Sequence, residues 1–375
     1  MKAATMNRLA RLWLFAVPVV LSTSAGVAAD DTSVIVNPNA AVEFATLPND
    51  LRQPEGITAN PGNGDIYVGT FTPGATNALL RYNRAGRLVA RKDFPGTAPL
   101  LGLAFNADDQ KVYLASPGDL AGGTSQVLRI AANFDNDTPV ETVAEIPGIG
   151  APPQRTVPNP DGSEDIITFG NNARAPNALT FDSEGNLYVS DSFQGAIFRI
   201  NGAQTCGAPD PLCMSIDFVA HDSLLATAGF PPFGANGLAL ADNDQTLYVA
   251  NTGDDRILRL DLSTSMLEVF VESLNGADGI TFDRAGNLWV AANQADHVAV
   301  LNQDGRVIAQ LGAFLGIRND GSAKGLLFPA SLVIVGNNVY VANAALPLRG
   351  DLTEPEVDVT TYIISRIPIP GQLRR

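Results

Sequence analysis

The stretch NGADGITFDRAGNLWVAAN, residues 275–293, predicts two short strands around a tight turn. Apolar residues alternate through Ile280 and Phe282 and again through Leu288 and Val290, as in half-buried strands, and the turn signal DRAG lies between them. Asp278 departs from this pattern, because it places a carboxylate where the first strand should enter the apolar core.

Five other stretches repeat the same design of a strand, a tight turn and an [IVL]-[YW]-[VL] strand. They are PEGITANPGNGDIYVGT (54–70), LLGLAFNADDQKVYLAS (100–116), PNALTFDSEGNLYVSDS (176–192), ANGLALADNDQTLYVAN (235–251) and PASLVIVGNNVYVANA (329–344). Aligned on Asp278, the six copies are separated by 46, 76, 59, 42 and 52 residues. Such spacings are typical of a four-stranded propeller blade with loop insertions.

The repeats predict an all-β fold, a six-bladed β-propeller in a single domain over residues 30–375. A two-sheet sandwich is the alternative, but it has no reason to repeat one hairpin sequence six times. The sixth repeat is one strand short, while AVEFATL (41–47) has no hairpin partner. We therefore expect this N-terminal strand to complete the last blade and to close the ring.

Six aligned positions lie where the innermost strands enter the channel, and we call them the channel ring. Four of its members carry side-chain oxygen and two are apolar; in blade order they are Glu55, Leu101, Asn177, Asn236, Asp278 and Ala330. Asn and Asp before Gly are also ordinary turn residues, and each copy alone would be unremarkable. A turn role, however, does not predict Glu, Leu and Ala at this position.

Closure of the ring should bring the four polar members close to one axis. Two carboxylates in a narrow channel repel each other unless a cation lies between them. Two carboxylates and two carboxamides form a hard oxygen set, which suits Ca²⁺ or another hard divalent cation and disfavours zinc or copper.

At these residues the chain resembles the senescence-marker-protein/gluconolactonase family, which includes regucalcin-like and diisopropyl-fluorophosphatase-like propellers. The resemblance covers all six repeats and is sharpest in ANGLALADNDQTLYVANTGDDRILRL and ADGITFDRAGNLWVAAN. It implies that Glu55, Asn236 and Asp278 are calcium ligands. It also implies that Asn177 is a ligand or a contact to water or substrate.

The resemblance implies an enzyme, a metal-dependent hydrolase of small-molecule lactones or esters. In such a site the metal polarises the carbonyl, and Asp278 is the general base or the nucleophile. The alternatives are a non-catalytic ligand-binding or scaffolding propeller and a phosphotriesterase. His297 is a candidate proton shuttle or an exposed loop histidine, and the same alternatives hold for His221.

Insertions at 148–175, 221–235 and 343–361 should crowd one mouth of the channel. The second insertion contributes Phe230 and Phe233, and Phe193 lies on a neighbouring loop. These rings predict a pocket for hydrophobic substrates. Sugar lactonases of the family tend to carry Arg two residues before the first ring Asn. Here Arg174 stands one residue further back, which disfavours a sugar-acid lactone, and we expect Arg174 to belong to the substrate pocket with the three phenylalanines.

Residues 1–29 combine three basic residues with the apolar run LWLFAVPVVL and a small-residue cleavage site. They predict a signal peptide and a periplasmic or secreted protein, with a retained membrane anchor as the alternative. The chain has 24 basic and 39 acidic residues, so 21 and 39 remain after cleavage, a balance of −18. This charge disfavours nucleic acid and anionic membranes as partners. The oligomeric state stays open.

Cys206 and Cys213 flank the loop GAPDPL. In an exported protein they predict a disulfide bond, and two free thiols are the alternative.

Overall fold

Six four-stranded antiparallel sheets follow one another along the chain and close into a ring. The structure is a computed structural model that describes residues 33–94, 99–118, 120, 123–169, 173–206, 213, 215–346 and 359–374. The predicted signal peptide lies outside the described residues and stays a prediction. Residues 34–375 form one compact unit.

The strands are numbered in chain order. Two short ones come first, β1 (Ile35–Asn37) and β2 (Val42–Thr46). Blade 1 contains β3 (Pro54–Asn60), β4 (Asp65–Thr70), β5 (Asn77–Tyr82) and β6 (Leu88–Phe94). Blade 2 contains β7 (Leu103–Asn106), β8 (Lys111–Ser116), β9 (Gln126–Ala131) and β10 (Glu141–Glu145). A hairpin of β11 (Arg155–Pro158) and β12 (Glu164–Ile167) precedes blade 3.

Blade 3 contains β13 (Pro176–Phe181), β14 (Leu187–Asp191), β15 (Ala196–Ile200) and β16 (Ile216–His221). Blade 4 contains β17 (Ala235–Leu240), β18 (Thr246–Asn251), β19 (Arg256–Asp261) and β20 (Leu267–Val271). Blade 5 contains β21 (Ala277–Phe282), β22 (Leu288–Ala292), β23 (His297–Leu301) and β24 (Val307–Leu311). A hairpin of β25 (Phe314–Ile317) and β26 (Ala323–Gly325) follows. Blade 6 contains β27 (Pro329–Val335), β28 (Asn338–Asn343) and β29 (Ile363–Pro368). The helices among the described residues are the short 3₁₀ turns Asn293–Ala295 and Gly371–Leu373.

The N-terminal strand closes the ring as predicted. Strand β2 pairs antiparallel with β29, with Val42 opposite Arg366 and Thr46 opposite Ile363, so blade 6 has the order β2-β29-β28-β27. The six-bladed all-β fold is thereby confirmed. Strand β1 was not predicted: it pairs parallel with β24 and extends blade 5 to five strands.

The stretch 275–293 shows why each hairpin forms where it does. Asp283 accepts hydrogen bonds from the backbone N–H groups of Ala285 and Asn287, both at 2.9 Å, and Gly286 takes the positive φ (77°) that the turn needs. The turn also anchors the core, because the indole of the fully buried Trp289 donates to the same carboxylate at 2.9 Å. One aspartate therefore caps the turn and satisfies a buried donor.

Adjacent blades approach each other very closely at the channel. A Cβ atom at Gly56 would lie 1.8 Å from the carbonyl oxygen of Leu101, and one at Gly237 would lie 2.1 Å from that of Asp278. At these two positions glycine is thus required by the neighbouring blade. Apolar layers fill the space between blades further out; Ile57 and Val68 of blade 1, for example, share a cluster with Ile364 of blade 6.

Cys206 and Cys213 form a disulfide bond with a Cα–Cα distance of 5.3 Å, as predicted. Cys213 is buried in the apolar cluster between blades 2 and 3, where it lies with Val143. The bond ties the loop after β15 to the packed blades.

All three insertions reach the same face of the propeller. Arg155 of the β11–β12 hairpin forms a 2.7 Å ion pair with Asp254, in the turn between β18 and β19. Phe233 of the second insertion and Ala344 of the third line one cavity at the channel mouth. In the described part of the chain, no helix has the length and apolarity needed to cross a bilayer.

Candidate metal centre and active site

A β-bulge places each polar channel-ring residue. The pairing of first and second strands shifts register at this position in blades 1, 3, 4 and 5. A bulge re-aims the side chain it carries. The four polar side chains line the same two cavities and are at most 9% exposed; they are those of Glu55, Asn177, Asn236 and Asp278.

The two cavities lie on either side of these side chains. The channel cavity, about 330 Å³, is lined by the innermost strands and includes Ile57, Leu179 and Ile280. The mouth cavity is about 30 Å³ and is walled by residues such as Phe71 and Pro231. A volume of that size holds an ion or one or two waters.

Hydroxyl groups orient the two ring amides. Asn177 Nδ2 donates to Ser192 Oγ at 3.0 Å, and that hydroxyl donates to the Ala235 carbonyl at 2.7 Å. Asn236 Nδ2 donates to Thr252 Oγ1 at 2.9 Å, and Thr252 donates to the Ala277 carbonyl at 2.8 Å. The amide nitrogen of Asn177 is thus held by Ser192, and that of Asn236 is held by Thr252 and also interacts with Asp278.

The two ring carboxyls differ in their support. Asp278 Oδ2 accepts a hydrogen bond from Asn293 Nδ2 at 2.9 Å. Burial raises the pKa of Asp278 to about 7, although hydrogen bonds with Asn293 and Asn236 act to lower it. Burial, and then the charge of Asp278, raise the pKa of Glu55 well above its usual range. No cation or hydrogen bond among the described residues offsets these two effects on Glu55.

This donor set fits a hard divalent cation. It presents two carboxylates and two amide oxygens, which Ca²⁺ prefers as ligands. The raised pKa values show that the buried carboxylates lack positive charge to balance them. Within the described ranges, no group of three or more His, Cys, Asp or Glu side chains assembles.

The wall of the mouth cavity is apolar. Phe233 contacts two neighbours, with ring-centroid distances of 5.5 Å to Phe193 and 6.4 Å to Phe71. Phe328 and Leu346 also line the cavity, whereas among its described lining residues there is no Lys, Arg or His. Phe233, and Phe193 behind it, are thus at the mouth.

The structure does not bring the other singled-out residues to either cavity. Arg174 donates to the backbone carbonyls of Ile146 (2.9 Å) and Gly123 (3.0 Å), and Phe230 is 60% exposed. His297 Nδ1 contacts the Ala295 carbonyl at 3.0 Å, and its Nε2 is buried without a partner. His221 Nε2 is likewise buried and unpartnered. Neither histidine lines the cavities that contain Asp278.

The sequence interpretation missed the residues that hold the ring. They occupy the fourth position after the aromatic residue of each second strand, which we call the support position: Phe71, Pro117, Ser192, Thr252, Asn293 and Ala344. This position is polar in the three blades whose ring residue is Asn177, Asn236 or Asp278, and in no other. The repeat alignment contained this signal, but an isolated Ser, Thr or Asn after a strand looks like a turn residue.

Comparison with known proteins extends these observations. A family model described as the SMP-30/gluconolactonase/LRE-like region matches residues 231–313, a range that includes Asn236 and Asp278. Over this range the chain is similar to the SMP-30/gluconolactonase-like family. Lactonase drp35 of Staphylococcus saprophyticus is 29% identical over 140 residues, which cover 35% of this chain. The match spans 40% of that lactonase, and 46% of the one from Staphylococcus aureus strain RF122, so less than half of each relative is compared.

Solved structures match over nearly the whole chain. Regucalcin of Agrobacterium tumefaciens, a calcium-binding protein, has a TM-score of 0.59 at 16% identity, covering 90% of this chain and 96% of its own. A gluconolactonase of Xanthomonas campestris has a TM-score of 0.51 at 14% identity, covering 87% and 88%. At these identities the likeness shows the shared fold.

Proposed function

We propose that this SMP-30/gluconolactonase-like protein is a calcium-dependent hydrolase of lactones or esters, with its active site at the channel ring. The observation that carries the proposal is the convergence of Glu55, Asn177, Asn236 and Asp278 on one pair of cavities. The lactonase relatives and the family match support the same reaction class.

The four ring residues would hold the cation. Bound there, Ca²⁺ supplies Lewis-acid polarisation of the substrate carbonyl and stabilises the negative charge that develops on its oxygen. Glu55 contributes the ligand least restrained by hydrogen bonds, while Asn177 and Asn236 present amide oxygens whose orientation is set by Ser192 and Thr252.

Hydrolysis adds one water across the acyl–oxygen bond of the substrate. Asp278 either takes a proton from the attacking water or attacks the carbonyl carbon itself, after which water cleaves the acyl-enzyme. In both routes the carbon–oxygen bond of the ester breaks, the leaving oxygen gains a proton, and a hydroxy acid or an acid and an alcohol result. Asn293 holds Asp278 Oδ2 throughout.

An oxygen-label experiment separates the two routes. A single turnover with enzyme in excess is run in H₂¹⁸O. A general base delivers ¹⁸O to the product acid in the first turnover. A nucleophilic Asp278, with water cleaving the acyl-enzyme at the Asp278 carboxyl carbon, delivers its own unlabelled oxygen and takes up the label.

The mouth favours substrates with apolar substituents. Phe71, Phe233 and Phe328 wall the cavity, and the polar lining groups are those of the ring and its supports. A polyhydroxylated sugar lactone would bury hydroxyl groups against these rings without partners. We expect higher kcat/KM for alkyl or aryl lactones than for gluconolactone, and the opposite order would contradict this assignment.

Export is part of the proposal. Disulfide bonds persist in oxidising compartments, and the Cys206–Cys213 bond supports a periplasmic or secreted location. Fractionation of cells that express the full chain tests this, with recovery in the cytoplasm as the contrary result.

The central experiment is hydrolysis of a lactone, aryl ester and phosphotriester panel, with Ca²⁺ and after exhaustive chelation. We expect lactone or ester turnover that chelation abolishes and Ca²⁺ restores, and that Asp278→Asn lowers by at least about 100-fold. Arg174→Gln is the control, because Arg174 lies outside both cavities. Turnover that survives calcium removal would overturn the mechanism, and no turnover with any class would favour a ligand-binding propeller.

A further inference from the structure

We propose that Ser192, Thr252 and Asn293 are positioning residues that fix which atoms the channel ring presents to its cation. The inference rests on the proposed function, because it concerns the same site. It assigns roles to three side chains outside the channel ring, two of which, Thr252 and Asn293, also line the mouth cavity.

The hydroxyl groups of Ser192 and Thr252 can each donate only one hydrogen bond. A hydroxyl group has a single hydrogen, and both residues donate it to a backbone carbonyl of the next blade, Ala235 O or Ala277 O. The hydroxyl oxygen can then only accept from the ring amide. A flipped amide would set its own oxygen against an oxygen with no hydrogen left, so Nδ2 must be the atom that faces each hydroxyl, and in Asn236 this nitrogen also interacts with Asp278.

Asn293 fixes the orientation of the Asp278 carboxylate in a similar way. Its Nδ2 donates to Asp278 Oδ2 at 2.9 Å, while its own Oδ1 is buried without a hydrogen-bond partner. Leaving that acceptor unpaired costs desolvation free energy. The opposite orientation would put Oδ1 against the ionised carboxylate, so the observed one favours the charged form that binds a cation.

Blade 1 provides the contrast. Its support position holds Phe71, which offers no polar atom, and Glu55 is correspondingly the ring member without a supporting hydrogen bond. Three ligands are thus held by the protein, and the fourth is free to adjust to the ion. Ligand supports of this kind typically change metal affinity by about 10- to 100-fold when removed.

Two serines on one strand form a matched test. Ser190 and Ser192 are both buried on blade 3, and both donate at 2.7 Å to carbonyls of blade 4, those of Asn236 and Ala235. The two serines accept hydrogen bonds from different donors. Ser190 accepts from the Ala178 backbone N–H at 2.9 Å, and Ser192 accepts from the side-chain amide of Asn177. Removing either hydroxyl loosens the blade contact, but only one removal frees a ring amide.

Calcium binding to the chelated, dialysed chain is measured by isothermal titration calorimetry, and thermal unfolding is recorded in chelator. We expect Ser192→Ala, Thr252→Val and Asn293→Leu each to weaken Ca²⁺ binding by about 10-fold or more. Ser190→Ala should lower thermal stability comparably and keep affinity within about threefold of wild type. Thr252→Ser, which keeps the hydroxyl, should restore the affinity that Thr252→Val loses.

Equal affinities for Ser192→Ala and Ser190→Ala, or a Thr252→Ser chain as weak as Thr252→Val, would overturn the inference. The comparison of Ser192→Ala with Ser190→Ala is independent of the comparison of Thr252→Val with Thr252→Ser. If a variant in one comparison does not fold, the other comparison still tests the inference. A wild-type chain with no calcium affinity would overturn the proposed function as well. A wild-type chain that binds Ca²⁺ while all variants bind equally would overturn the positioning role alone.

Discussion

Substituting Asp278 by Asn should stabilise the protein without calcium, and calcium should reduce or reverse this difference by stabilising the wild type alone. Asp278 is 5% exposed, and burial raises its pKa from 3.8 to about 7. Asn has nearly the same volume and still accepts the hydrogen bond from Asn293. The substitution therefore removes the buried charge with little change in packing.

The stabilising effect of Asp278→Asn without calcium follows from the raised pKa of Asp278. A carboxyl with a higher pKa in the folded than in the unfolded protein favours folding below the unfolded pKa, and this contribution is lost as the pH rises to the folded pKa. The difference between 3.8 and about 7 corresponds to about 4 kcal/mol, at about 1.4 kcal/mol per pKa unit. This is an upper value, because water in the channel cavity solvates part of the charge.

The assay is urea unfolding of wild type and Asp278→Asn in chelator at pH 4 and pH 8. At pH 8 we expect the variant to be more stable by about 1–4 kcal/mol, and at pH 4 the two should differ by less than about 1 kcal/mol. Calcium at about 100 times its Kd adds about 2.7 kcal/mol to wild type and little to the variant. Glu55→Gln should show the same sign, because the pKa of Glu55 is also raised.

Equal stabilities at pH 8 in chelator would show that Asp278 ionises without penalty, and the reasoning from buried charge would fail. Destabilisation of the variant at both pH values would point to a packing role instead. The double dependence on pH and calcium distinguishes these outcomes.

Three further predictions concern the mouth, the disulfide and the closure. Phe233→Ala should raise KM for aryl lactones by about tenfold through lost apolar contact, while the exposed Phe230→Ala should leave it within about twofold; equal effects would contradict the assignment of the wall. The double cysteine-to-alanine variant should lose at most about 2.5 kcal/mol in urea unfolding, since the loop spans only seven residues, and a larger loss would imply a wider structural role. Removing residues 33–40 should be tolerated because only β1 is lost, whereas removing 33–46 deletes β2 and should produce aggregation by size-exclusion chromatography; a monomeric, folded 33–46 deletion would refute closure by β2.

Much of the fold was readable from local patterns. The alternation and turn residues of 275–293 encode a hairpin, and six copies at blade spacing encode a propeller. The unmatched strand at 41–47 predicted the closure, because a ring cannot leave its last blade incomplete without exposing an edge. The two cysteines predicted their bond from the exported character of the chain.

Other features depend on contacts between residues far apart in sequence. β1 pairs with β24 although its three residues form no recognisable repeat. Arg174 and Phe230 are near ring residues in sequence but point to backbone carbonyls and to solvent. Phe328, which no sequence argument singled out, lines the mouth. Loop side chains are placed by the packing of neighbouring blades, which a single repeat does not encode.

The channel ring likewise has features that the sequence encodes and features that depend on tertiary contacts. The sequence of this protein determined which residues recur at the strand entrances, because the hairpin period carries that information. Only the tertiary structure decided which atoms they present. Bulges aim the side chains inward, hydroxyls anchored on the next blade hold the amide nitrogens, and burial raises the carboxyl pKa values. Each of these effects requires a second blade in contact with the first, and that contact exists only once the ring has closed.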